Sequence, residues 1–294
     1  MLQGFARRTV EGRAAQIHVA MGGAGPPVLM LHGYPQTHLA WHCIAPDLAQ
    51  DFTVIAPDLR GYGESRLVGG PGEPKDFSKR AMALDLVDLM HALGFDRFAV
   101  VGHDRGARVG YRLALDRPDM VSAFASLTVI PTIEVWDRAD KSFAMGAYHW
   151  FLFAQPADLP ERLVAADPGF FFDWTLRRMA KYHDRLAPAA VAAYRAAFLK
   201  PEVRHAMFND YRAGATLDSE HDDADRRAGR RLRCPVFVSW EKGRYESGET
   251  PIDIWRKWAN AVGGTPIDAG HLQAEEAPEA VLGHLLPFLR RHAR

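Results

Sequence analysis

Short, nearly unbroken apolar runs alternate with amphipathic stretches through the first part of the chain. Val28–Leu31, Phe52–Ala56, Phe98–Val101 and Phe124–Ile130 are such runs, and a run apolar on both alternating faces suits a strand buried on both sides. Between them, Lys79 to Leu93 carries Met82, Leu86, Leu89, Met90 and Leu93 at helical spacing and stops at Gly94. Val109, Leu113 and Leu115 mark a second helix after Phe98–Val101. Residues 4–20 read as two short strands turned at Glu11-Gly12. Strands alternating with helices predict an α/β fold, a mostly parallel sheet with helices on both faces, in which ligands sit at the carboxyl ends of the strands.

The alternation stops at about Glu134 and resumes after about His221. The intervening stretch is helix-compatible and rich in aromatics, among them Trp136, Phe143, Tyr148, Trp150, Phe151, Phe153, Phe170, Phe171, Phe172 and Trp174. It predicts a helical cap whose aromatics mostly form its own core. The expected division is a core over 1–133, a cap over 134–221 and the rest of the core over 222–294. That last part predicts a strand over Pro235–Trp240, a helix around Ile252–Val262, a short strand at Pro266-Ile267, the turn Asp268–His271 and a helix over Ala280–Arg291.

The most informative stretch is Gly102-His103-Asp104-Arg105-Gly106. Small residues two positions either side of a central nucleophile permit the sharp strand-to-helix turn of a nucleophile elbow. Here the nucleophile is Asp104, a carboxylate that is already charged and can displace a leaving group from an sp³ carbon, leaving an alkyl ester. Such an ester needs a base to activate water and an oxyanion hole. The N–H of Arg105 supplies one donor. The strand Val28–Leu31 runs into His32-Gly33-Tyr34-Pro35, where the N–H of Tyr34 supplies the other.

Composition narrows the function classes. With 36 basic and 36 acidic residues in 294, no bulk field favours nucleic acid or an anionic membrane. Cys43 and Cys234 form neither a disulfide framework nor a CxxC motif, which fits a reducing compartment. No long uncharged apolar segment offers a membrane span and the N-terminus lacks a signal-peptide core, so a cytoplasmic enzyme is expected. His38 and His42, four apart, lack a nearby cysteine or acidic cluster to complete a ligand set. Neither a metal nor a cofactor is expected.

Six segments together resemble the fluoroacetate (haloacetate) dehalogenases of the α/β-hydrolase superfamily: GHDRGARVGYRLALD (102–116), LHGYPQTHLAWH (31–42), PDLRGYGES (57–65), YHWFLFAQPADLPE (148–161), DYRAGA (210–215) and AGHLQAEEAPE (269–279). The resemblance implies a nucleophile at Asp104, a water-activating base at His271, carboxylate-binding arginines at Arg105 and Arg108, and a halide pocket of His149, Trp150 and Tyr211. It implies haloacid and water as the reacting partners and is compatible with a homodimer. Elementary chemistry agrees, because an anionic substrate meeting an anionic nucleophile needs cations to offset repulsion. A leaving fluoride needs N–H or O–H donors.

One position departs from the pattern. Where the family carries an acid to orient its histidine, this chain has Thr128, within Leu127-Thr128-Val129-Ile130-Pro131-Thr132. A threonine cannot stabilise imidazolium by charge, so water activation should suffer. Glu241, after the strand Val236–Trp240, and Glu134 are the other candidates. Leu272, after the histidine, stands where the family commonly has an aromatic. Two alternatives follow: an epoxide hydrolase using the same Asp/His pair, and a weakened small-carboxylate binder.

Overall fold

The computed structural model describes residues 2–294, which form one mixed sheet flanked by helices. The strands are β1 (Ala6–Glu11), β2 (Ala15–Gly22), β3 (Pro27–Leu31), β4 (Thr53–Pro57), β5 (Arg66–Leu67), β6 (Phe98–His103), β7 (Val121–Leu127), β8 (Val236–Glu241) and β9 (Val262–Ile267). Their spatial order is β1-β2-β4-β3-β6-β7-β8-β9, with β5 paired to β2. The pairings β1·β2, β2·β4 and β2·β5 are antiparallel and all others parallel. Burial explains the parallel half: β6 and β7 are buried along their whole length, as uninterrupted apolar runs require when helices cover both faces.

All the helices between Thr132–Asp137 and Leu217–Arg227 lie between β7 and β8, so the interrupted alternation in the sequence corresponds to a helical insertion at the carboxyl ends of the strands. Within it Phe153, Phe172 and Phe198 are fully buried and Trp150 and Tyr211 nearly so. Phe170 and Trp174 depart from the expected cap core: their rings stack on each other, with centroids 5.9 Å apart, on the outside.

Two boundaries differ from expectation. The run Phe124–Ile130 is not one strand: β7 starts at Val121 and ends at Leu127, the residue that pairs with His103. Thr128 has φ 71°, a conformation that no extended strand of L-residues adopts. The helix expected over Ile252–Val262 spans only Pro251–Trp255, and Val262 opens β9. Gly263 and Gly264 conceal that strand, because neither carries a side chain to display the period of two.

The elbow is built where β6 meets the helix Arg105–Asp116. Asp104 has φ 46° and ψ −117°, a strained pair for a residue with a Cβ. The helix can approach β3 because Gly106 has no side chain: a Cβ there would lie 2.1 Å from the Leu31 carbonyl oxygen and 2.4 Å from that of His32. Gly106→Ala should therefore destabilise the fold by about 1–3 kcal/mol or more, read as a lowered denaturant midpoint. An unchanged midpoint would mean the helix can shift away at no cost.

Candidate active site

Asp104 lies at the end of β6, nearly buried. The N–H of Tyr34 donates to its Oδ1 at 3.0 Å, and Gly33 makes that approach possible, since a Cβ there would sit 2.4 Å from the Asp104 Cβ. The N–H of Arg105 is the first of the following helix and has no partner within it. The two expected oxyanion donors are thus on either side of Asp104, at a helix N-terminus that favours negative charge.

His271 stands opposite. Its Nε2 is 3.4 Å from Asp104 Oδ2 and its Nδ1 is 3.5 Å from Glu241 Oε1. Of the residues open to the role of acid, Glu241 is the one facing the imidazole. Thr128 is not its partner, because its hydroxyl donates to the Leu127 carbonyl at 2.7 Å. Glu134 is turned away, accepting from Trp258 Nε1 at 3.0 Å and pairing with Arg138. Glu241, one of the two other candidates, thus makes the anionic contact to His271 that Thr128 cannot. Glu241 extends from the last residue of β8, one strand across from β7, so the sheet can bring an acid to the same imidazole from a neighbouring strand end.

The charges are strongly coupled. Burial alone would lower the His271 pKa, but its pairing with Asp104 and Glu241 raises it to about 9. Burial would likewise raise both acids. Instead His271 holds Asp104 well below the usual carboxylate range, and His271 with Arg244 brings Glu241 down to about 2. A rise of that size at His271 corresponds to ~3 kcal/mol in favour of imidazolium. A single exposed ion pair contributes at most about 1 kcal/mol, so the sheltered position of Asp104 and Glu241 matters to the shift. His103, whose ring centroid lies 4.9 Å from that of His271 in a tilted arrangement, is driven mainly by burial down to about 3 and stays neutral.

The two elbow-helix arginines are not equivalent. Arg105 is gripped by Asp210, with Nε to Oδ2 at 3.0 Å and Nη2 to Oδ1 at 2.6 Å, and Lys79 binds the same carboxylate. Only its buried Nη1 lacks a partner. Arg108 is almost fully buried and has no carboxylate at ion-pair distance among the described residues. Its Nη1 donates to the Ile130 carbonyl and the Thr132 hydroxyl, while its Nε has no partner. Asp210 and its grip on Arg105 were not anticipated from sequence: it lies 105 residues further along the chain, and nothing local signals the pairing.

His149, Trp150 and Tyr211 come together over this base. The Tyr211 ring lies 5.5 Å from that of His149 and 5.8 Å from that of Trp150. Arg105 sits 4.1 Å over the Tyr211 ring and Arg108 4.7 Å over the Trp150 ring. The Tyr211 hydroxyl is buried without a partner. Burial keeps His149 neutral by pushing its pKa to about 3. Asp104, Arg108, His149, Trp150, Glu241 and His271 all line one cleft of about 730 Å³. Leu272 is buried beside His271 and does not line it.

No group of three or more metal-ligating side chains occurs among the described residues, and His38 instead contacts Asp58 Oδ1 through Nδ1 at 2.8 Å. No helix of the described residues is long and apolar enough to cross a membrane.

Residues 26–278 match the family model described as alpha/beta hydrolase fold. The chain belongs to the α/β-hydrolase family. A fluoroacetate dehalogenase from Burkholderia sp is 38% identical to this hydrolase over 98% of the chain and 95% of the relative. A soluble epoxide hydrolase from Corynebacterium sp. (strain C12) is 31% identical over 93% of each. Among solved structures, a protein described as "a putative epoxide hydrolase from Pseudomonas aeruginosa" superposes with a TM-score of 0.97 at 56% identity, covering 100% of this chain and 99% of that one. A mutant of the same Pseudomonas protein "with bound MFA" gives 0.96. The resemblance carried by the motifs thus extends over the hydrolase as a whole.

If Glu241 contributes to the His271 shift, Glu241→Gln should lower the His271 titration midpoint from about 9 by about 1–3 units, measured by NMR of the ring C–H. An unmoved midpoint would exclude Glu241 as its partner.

Proposed function

We propose that this hydrolase removes halide from small 2-haloacids through an ester on Asp104. One observation carries the reading. Arg108 is a buried guanidinium with no carboxylate partner and an unpartnered Nε, and it shares the face of the Trp150 ring with Arg105, whose Nη1 is also unpartnered. An uncompensated buried charge costs several kcal/mol, which an anionic ligand would offset. A substrate carboxylate on these donors fits that requirement and would hold its C2 carbon toward Asp104.

In the first step Asp104 attacks C2, the carbon–halogen bond breaks, and the halide leaves toward His149, Trp150 and Tyr211. These are neutral donors suited to an ion whose charge grows in the transition state. Forming the ester removes the Asp104 charge and with it one of the two anions that raise His271. The imidazole pKa then falls, His271 gives up its resting proton to solvent, and the neutral ring takes a proton from water as that water attacks the Asp104 carboxyl carbon. The N–H groups of Tyr34 and Arg105 receive the oxyanion, and Glu241 supports the new imidazolium. Collapse of the tetrahedral intermediate releases the 2-hydroxyacid and restores Asp104.

Epoxide hydrolysis is the second reading. The free Tyr211 hydroxyl could protonate an epoxide oxygen, and epoxide hydrolases are among the relatives. A neutral epoxide, however, leaves Arg108 uncompensated. The weakened-binder reading loses its motive, since it depended on a histidine without an acid. Ion-chromatographic halide release across a haloacid panel, beside diol formation from a styrene-oxide-like epoxide, separates the three.

Asp104→Asn should abolish halide release, and His271→Ala should stop at about one halide per site with the ester retained on Asp104 in intact-protein mass spectra. Multiple turnovers in either variant would contradict the mechanism. Arg108→Ala should cut haloacid use by at least about tenfold more than use of a neutral alkyl halide; equal losses would make Arg108 structural. In the wild type, alkylation should vary little with pH between about 6 and 8. Ester hydrolysis should instead rise with pH through a midpoint below the resting value of about 9, because the base must be neutral. A hydrolysis step that slows as pH rises would contradict that assignment.

A further inference from the structure

The chain on either side of His271 is held by a buried carboxylate outside the charge pairs around Asp104. Glu276 is fully buried at the end of the short helix Gln273–Glu276. Its Oε1 accepts from the N–H of Leu272 at 3.0 Å. Its Oε2 accepts from the N–H groups of Gly270 at 3.0 Å, Lys181 at 2.7 Å and Tyr182 at 2.9 Å. Two of these donors flank His271, and two belong to the segment that follows the insertion helix Pro168–Met179. The two segments touch directly. The N–H of His271 donates to the Met179 carbonyl at 2.8 Å, and a Cβ on Gly270 would lie 2.5 Å from the Lys181 nitrogen. The His271 carbonyl contacts His103 Nε2 at 2.8 Å, so the backbone of the base is fixed on every side.

We propose that Glu276 is a positioning residue that locks the His271 loop to the Met179–Tyr182 segment, so that the imidazole stands between Asp104 and Glu241 only while that segment is docked. Four charge-assisted hydrogen bonds from backbone N–H groups are strong and directional. A glutamine at this position keeps one acceptor oxygen and turns an amide N–H₂ toward N–H donors, so at least one donor loses its partner and the loop relaxes. The proposal rests on His271 being the base of the hydrolytic step. The groups facing that imidazole are Asp104, Glu241, His103 and, through space, His149. None of them touches the Glu276 carboxylate, so a Glu276 variant reaches His271 through the loop backbone and the loss of one neighbouring charge, and the titration is read together with ester decay.

The test compares wild type with Glu276→Gln in two independent readouts. In single turnovers with fluoroacetate or bromoacetate, Glu276→Gln should leave halide release within about threefold and slow decay of the Asp104 ester by about tenfold or more, since small misplacements of a catalytic group carry penalties of that order. In the ligand-free protein, the His271 ring titration should move from about 9 toward 6.5. Equal slowing of both steps, or unchanged ester decay with an unmoved titration, would overturn the proposal and leave Glu276 a general fold residue. If the wild type forms no ester, the function assigned above fails while the titration still decides the positioning role. If Glu276→Gln does not fold, amide exchange in the unaltered protein decides. Gly270, Leu272, Lys181 and Tyr182 should be protected together, and rapid exchange at Lys181 and Tyr182 with Leu272 protected would refute the lock.

Discussion

The arrangement of charge around Asp104 is the constraint on which the site depends. A carboxylate buried at the end of a sheet would normally take up a proton and lose its nucleophilicity. Here it stays ionised because an imidazolium, itself held by a second carboxylate at 3.5 Å, stands 3.4 Å away, the Tyr34 N–H donates to it at 3.0 Å, and the Arg105 charge lies beside it. The alternation of negative, positive and negative groups stabilises each member in a place where any one alone would be neutral. In the proposed mechanism the same coupling makes the base responsive to the chemistry: an ester on Asp104 would remove its charge and one of the two anions that hold the His271 proton.

The fold supplies this arrangement from separate parts. Asp104 comes from β6, Glu241 from β8 and His271 from the turn after β9, all at the carboxyl ends of parallel strands. The insertion between β7 and β8 contributes His149, Trp150 and Tyr211, and through Asp210 it also takes hold of Arg105. Of the two elbow-helix arginines this leaves Arg108 without a counter-charge among the described residues, so in the proposed mechanism carboxylate recognition would rest more on Arg108 than a symmetric pair of arginines would suggest. Arg105 keeps only its two Nη1 N–H groups free, and its charge is already paired with Asp210.

Much of this was legible in the chain because it is encoded locally. The elbow declares itself through glycines two positions either side of Asp104, the oxyanion segment through His-Gly at a strand end, and the sheet through apolar runs. What escaped is long-range or masked. The sequence offers Glu241 as a candidate acid, but its choice over Glu134 and Thr128 depends on strands β8 and β9 lying side by side, which no spacing reveals. Asp210 finding Arg105 is of the same kind. The end of β7 was hidden because Val129 and Ile130 are apolar for packing reasons while Thr128 breaks the strand at φ 71°. Only the end of β9, at Pro266-Ile267, was legible, because Gly263 and Gly264 give its first half no periodic signal.

The central claim is that Asp104, and not water, forms the bond to substrate carbon. A single turnover in ¹⁸O-labelled water, with enzyme in excess over haloacid, tests it most directly. If water attacks the carboxyl carbon of an Asp104 ester, the hydroxyacid carries an unlabelled oxygen taken from the enzyme, and the label appears in a peptide containing Asp104. Label in the hydroxyacid on the first turnover, with Asp104 unlabelled, would mean direct displacement by water and would contradict the account.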